Sequence, residues 1–150
     1  MAEPTPLTAQ DRLDVINLIA SYAAYLDTAD LDGYVDNFAP DGVIEHSAGR
    51  CEGREEIRAW VGGLLGARRP GDTSSPYRHV LGIPLIEGDG ERCSARTYVL
   101  IPQQRDGELT LPMVLTYVDS CVKLDGRWRF AKRIIQPGLV SAARRSETAR

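Results

Sequence analysis

The chain has 150 residues, 43% hydrophobic and 26% charged, which is the make-up of an ordinary globular protein of one-domain size. Its 18 basic and 21 acidic residues leave a net charge of −3, so no electrostatic footprint points to nucleic acid or to an anionic membrane. No apolar run reaches the ~18 residues of a membrane span, and the Met-Ala-Glu-Pro-Thr-Pro start has neither the basic nor the apolar stretch of a secretory signal; the expected location is the cytoplasm.

Residues 1–7 read as a flexible lead-in. Thr8 is a plausible N-cap, followed by early acidic charge. From Asp11 to Leu26 the apolar residues Leu13, Ile16, Ile19, Ala20, Ala23 and Leu26 recur at spacings of three and four, one face of an amphipathic helix. Tyr22 and Asp27 flank that stripe near its end. Asp30-Leu-Asp-Gly-Tyr opens a second short helix with Tyr34, Val35 and Phe38 on its apolar side, and Ala39-Pro-Asp-Gly ends it as a turn. Val43 to Ser47 is a short predicted strand, and Gly53 begins a third helix running to about Leu65. Residues 66–76, rich in Gly, Pro, Ser and Thr, predict a loop.

Strand patterns follow: Arg78–Ile86, Cys93–Gln103, Leu111–Leu124 and Trp128–Ile135. Asp125-Gly126 is a strong hairpin turn, and Pro137-Gly138 is expected to end the last strand. Segregated helices and strands indicate an α+β fold, with a long bent sheet curling around its own helices over a cavity. Three cysteines, Cys51, Cys93 and Cys121, are widely spaced and form no CxxC, so they are expected to be reduced packing residues. The tail arginines Arg144, Arg145 and Arg150 read as a solvated end.

The chain has two histidines. Alternation puts His79 on one strand face with Leu81 and Ile83, which points it inward. Two readings fit: a half-buried histidine bonded to backbone, or a general acid–base, since imidazole titrates near neutral pH. Asp27 meets the unfavourable end of the helix dipole. It is either a solvated residue before the next helix or a carboxylate that orients an imidazole. On the short strand Glu45 follows Val43 in parity and His46 follows Ile44, and pattern does not decide which faces inward; His46 is a secondary pocket candidate. Tyr22, Tyr25, Tyr98 and Tyr117 offer hydroxyl donors for a substrate oxygen. Arg96 and Asp119 lie on neighbouring strands, where a cross-strand ion pair is the usual arrangement. No GxxxxGK[ST], GxGxxG, GxSxG or HExxH occurs, and no carboxylate cluster supports a metal site.

The stretch Ile19-Ala-Ser-Tyr-Ala-Ala-Tyr-Leu-Asp-Thr-Ala-Asp-Leu-Asp-Gly-Tyr-Val-Asp-Asn-Phe-Ala-Pro-Asp-Gly-Val-Ile resembles the opening of SnoaL-like proteins of the nuclear transport factor 2-like superfamily. Cys51-Glu-Gly-Arg-Glu-Glu-Ile, Arg78-His-Val and Gly126-Arg-Trp-Arg-Phe-Ala-Lys-Arg-Ile extend the resemblance over roughly residues 8–136, within one domain spanning 1–150. The resemblance implies a cone-shaped α+β barrel around a deep apolar pocket. In its scytalone dehydratase, bile acid dehydratase and dehydrochlorinase branch, an Asp ending the first helix pairs with a His on the strand after the third. Asp27 and His79 match those positions, and Tyr22 matches a tyrosine often found one turn earlier. Scytalone dehydratase uses two pocket histidines; here His46 alone could be the second.

The function this implies is a cofactor-free dehydratase or isomerase acting on a small hydrophobic cyclic molecule, polyketide- or steroid-like, in natural-product biosynthesis. His79 would take the proton, Asp27 hold the imidazolium, and Tyr22 or another hydroxyl bind the developing enolate. His46, Tyr25, Tyr98, Tyr117, Arg96 and Asp119 are the expected substrate-binding set. An epoxide hydrolase or cyclase using Asp119 with Arg96 to activate water, and a non-catalytic ligand-binding module or small subunit, are the alternatives. The resemblance also implies a homodimer or homotrimer built through the sheet's outer face.

Overall fold

A computed structural model describes residues 3–140; Arg144, Arg145 and Arg150 lie outside the described residues. The elements run α1 (Ala9–Asp27), α2 (Leu31–Asp36), β1 (Phe38–His46), β2 (Gly49–Glu52), α3 (Gly53–Leu65), β3 (Val80–Leu81), β4 (Leu85–Gly88), β5 (Arg92–Arg105), β6 (Glu108–Leu124) and β7 (Arg127–Val140). The strands form one mixed sheet in the order β2-β1-β7-β6-β5-β3, with β4 also on β5. β1 and β7 are parallel and the other pairs antiparallel. The sheet is curved and does not close on itself, an α+β architecture.

α1 starts where Thr8 predicts. The Thr8 hydroxyl accepts from the Asp11 amide at 3.1 Å, and the Asp11 carboxylate accepts from the Thr8 amide at 3.0 Å, a reciprocal capping box. Asp11 also accepts from Lys123 Nζ at 2.8 Å and Trp128 Nε1 at 3.0 Å. These bonds fasten the start of α1 to the β6–β7 hairpin and set the helix's rotation. The buried stripe is therefore Val15, Leu18, Ile19, Tyr22 and Ala23. Leu13, Ile16 and Ala20, expected on the core face, are exposed. Both stripes satisfy spacings of three and four; the anchor at Asp11 chooses between them.

Four strand expectations are corrected. β1 starts at Phe38, not Val43, and carries a register shift against β7 where the Pro-Asp-Gly turn was expected. β2 was not foreseen. The expected strand Arg78–Ile86 is broken into β3 and β4: Pro84 has no amide donor, and Ile83, expected inward, is 94% exposed. β7 continues through Pro137 and Gly138 to Val140. Within the expected lead-in, Pro6 bridges Asp89 and the Gly90 amide bonds to the Thr5 carbonyl at 2.7 Å.

Along β5 the side chains of Ala95, Thr97, Val99 and Ile101 are buried while Arg96, Tyr98 and Leu100 face outward. The inner face carries the core, where Tyr22, Tyr34, Phe38, Tyr117 and Phe130 meet at ring separations of 4.6 to 6.2 Å. All three cysteines are buried free thiols.

Candidate active site

α1 ends in a Schellman-type cap. Ala29 is left-handed at φ 58°, the Asp30 amide reaches the Tyr25 carbonyl at 2.8 Å, and the Ala29 amide reaches that of Leu26 at 3.4 Å. Asp27 is thus the last helical residue. Its carboxylate meets His79, 52 positions away, twice: Oδ1 lies 2.6 Å from imidazole Nδ1, and Oδ2 accepts the His79 backbone amide at 3.0 Å. Both side chains are nearly enclosed, 16% and 10% exposed.

Burial pushes the Asp27 carboxyl pKa up, but the hydrogen bonds from the His79 ring and amide more than offset it and leave it below the ordinary carboxylate value. An ionised carboxylate can only accept, so Nδ1 of His79 carries the proton. In the neutral ring Nε2 is then the free lone pair.

The pair lines a cavity of about 270 Å³. Leu26, Leu64, Leu65, Ile101 and Met113 supply its apolar walls, and Arg68, Ser75 and Tyr77 are the other polar residues on it. None of these three was picked from the sequence. Tyr77 lies two residues before His79, and that shared parity was the available signal. Arg68 sits in the loop and had none.

The other expected site residues fall elsewhere. Tyr22 is 1% exposed inside the aromatic core and does not line the cavity. Tyr25 borders a separate polar depression with Asp14, Asn17 and Ser21. His46 stacks on Trp60 at 4.2 Å, its Nδ1 accepting the Ala48 amide at 3.2 Å, because β1 has run past the cavity onto α3. Tyr98 points outward and is 67% exposed. Tyr117 is buried against an arginine. Arg96 is exposed and does not meet Asp119; the partner of Asp119 is Arg133.

The model of the SnoaL-like domain matches residues 7–134. The chain belongs to the SnoaL-like family. An uncharacterized protein of Mycobacterium tuberculosis is 29% identical to this SnoaL-like chain over 128 residues, 83% of either chain. A Nostoc punctiforme protein of unknown function with a cystatin-like fold superposes with a TM-score of 0.78 at 25% identity, covering 89% of this chain and 96% of its own. A candidate scytalone dehydratase of Novosphingobium aromaticivorans has a TM-score of 0.73 at 18% identity, covering 88% of this chain and 87% of its own, a likeness of fold. None of the helices among the described residues is long and apolar enough to cross a membrane.

Proposed function

We propose that this SnoaL-like protein is a lyase or isomerase of the dehydratase type that works by proton abstraction at His79. The observation that carries the reading is the 2.6 Å Asp27–His79 contact on the wall of a largely apolar cavity. His79 Nε2 removes a proton from a carbon next to a carbonyl. The C–H electron pair becomes an enolate, and the Asp27 carboxylate stabilises the imidazolium that forms. Collapse of the enolate expels a β-hydroxyl, the imidazolium proton joins it, and water leaves. Returning that proton to a different carbon gives isomerisation instead.

Tyr22 cannot supply the oxyanion donor from inside the core. Tyr77, on the cavity wall, takes that role in this reading. The volume lies just below the ~300 Å³ at which small-molecule pockets usually begin, which favours a compact ring compound over a steroid. The Novosphingobium relative's name, a candidate scytalone dehydratase, is consistent with that class.

The test is a panel of cyclic β-hydroxy ketones followed for water loss by absorbance of the conjugated product. Turnover that His79→Ala and Asp27→Asn abolish without changing the thermal melt is the expected result. Turnover that survives His79→Ala would exclude the mechanism.

A further inference from the structure

We infer that Arg68 is a positioning residue for the Asp27–His79 pair, holding Asp27 by its backbone carbonyl and tying it, through the Asp72 carbonyl, to the loop that delivers His79. The inference rests on the proposed role of that pair and goes beyond it by naming what fixes the pair's geometry.

The two partners come from separate segments. Asp27 ends α1, and His79 ends the loop that follows α3. Nothing covalent keeps them at 2.6 Å. The C-terminus of α1 carries the negative end of the helix dipole, and its last turn contains no basic residue. A carboxylate there is unfavourable unless a cation comes from elsewhere.

Arg68 brings a cation to the carbonyl end of the helix, while Arg78 is the arginine whose charge helps lower the Asp27 carboxyl pKa. Arg68 Nη2 donates to the Asp27 carbonyl at 2.7 Å, and Nη1 lies 3.5 Å from the Leu26 carbonyl. The same Nη2 donates to the Asp72 carbonyl at 2.6 Å. One guanidinium thus joins the end of α1 to the loop. The loop is braced onward: the Asp72 side chain accepts the Ser74 amide at 2.7 Å, and Arg78 binds the carbonyls of Thr73, Ser75 and Tyr77 at 2.9, 2.8 and 2.7 Å. The Gly71 amide adds a second tie, to the Thr28 carbonyl at 2.8 Å. From Arg68 to His79 the loop is a fastened strap, and Arg68 is its fixed point on the helix that delivers Asp27. Both short bonds come from the one nitrogen, so a lysine ammonium in reach of the two carbonyls can restore part of the tie, without the Nη1 contact to Leu26 or the rigid guanidinium plane.

The test is proton and carbon-13 NMR of the full chain. The far-downfield resonance of His79 Nδ1–H, identified by its loss in His79→Gln, reports the short hydrogen bond to Asp27. Arg68→Met and Arg68→Lys are compared with Arg69→Met, which removes a neighbouring exposed charge. In folded Arg68→Met the resonance is lost, and the Asp27 carboxyl carbon titrates closer to the ordinary ~3.9; Arg68→Lys, which keeps a donor for the two carbonyls, retains more of both signatures. Arg69→Met changes neither. The inference is overturned if the resonance and the titration are unchanged in folded Arg68→Met, or if that variant fails to fold, which would make Arg68 a general structural residue. Absence of the resonance from the wild-type protein would instead remove the acid–base pair itself, and this inference with it.

Discussion

Asp119 and Arg133, opposite one another on β6 and β7, form a two-pronged ion pair with both side chains wholly excluded from solvent. Arg133 Nε and Nη2 donate to the two carboxylate oxygens at 2.7 and 2.6 Å. The guanidinium lies 4.0 to 4.2 Å from the ring centres of Tyr22, Phe130 and Tyr117, a cation held among aromatic faces. The Asp119 charge keeps the Arg133 pKa raised even though burial opposes it. Asp119 is therefore a core residue and has no access to a water that it could activate.

Removing one member of this pair strands a buried charge. Asp119→Ala should cost about 3–5 kcal/mol, a fall in melting temperature of roughly 10 °C or more for a chain of this size. The double change Asp119→Leu with Arg133→Met should recover much of that loss. Thermal unfolding of the two variants beside the unchanged protein measures both effects.

Acid should weaken the fold through two carboxylates. Asp11 has its pKa lowered by hydrogen bonds from Lys123, Thr8 and Trp128, and Asp27 has its pKa lowered by His79 against the cost of burial. A group depressed on folding contributes stability that is fully present above its unfolded pKa, about 3.9 for aspartate. That contribution disappears as pH falls from there through the folded value. Urea unfolding at steps from pH 5 downward should show falling stability, with a shallower slope in Asp27→Asn. Equal slopes would show that the native hydrogen bonds do not depress Asp27.

Tyr77 and Tyr22 should separate cleanly. Tyr77→Phe should lower turnover about 10²–10³-fold, the usual effect of losing one oxyanion donor, with an unchanged melt. Tyr22→Phe should leave turnover within a few-fold and change only the melt, because its ring is sealed in the core. Kinetics and calorimetry on the same preparations decide this. A larger kinetic loss in Tyr22→Phe would reverse the assignment.

The outer sheet face carries Val80, Leu85, Tyr98 and Leu100, all exposed, with Val80 opposite Leu100 across the β3–β5 pair. An apolar surface of this kind suits self-association, and the proposed homodimer or homotrimer would cover it. Light scattering after gel filtration should give a multiple of the 16.5 kDa chain mass, and Tyr98→Glu with Leu100→Glu should give the monomer. A monomeric wild type would refute the outer-face assembly.

Local chemistry was legible from the residue order alone. Thr8 caps α1, α3 spans Gly53–Leu65, and Asp125-Gly126 turns with both φ positive, 51° and 74°. Each depends on residues within a few positions of one another. The Asp27–His79 meeting was of another kind. Periodicity left each residue with two readings, and only the family resemblance joined them.

What the sequence determined by itself was its set of caps, turns and periodic segments, and hence the α+β class. The tertiary structure decided which way side chains point once the period is broken. The register shift around Ala131 reverses parity on β7, so Phe130 and then Arg133 face inward where strict alternation would have chosen Lys132. It also decided who partners the buried charges: Arg133 rather than Arg96 for Asp119, and Arg68 for the carbonyl end of α1. A capping or turn preference acts over a few bonds and is written in adjacent letters. A bulge, or a guanidinium reaching carbonyls on two segments, is settled by packing between parts of the chain that the letters do not place side by side.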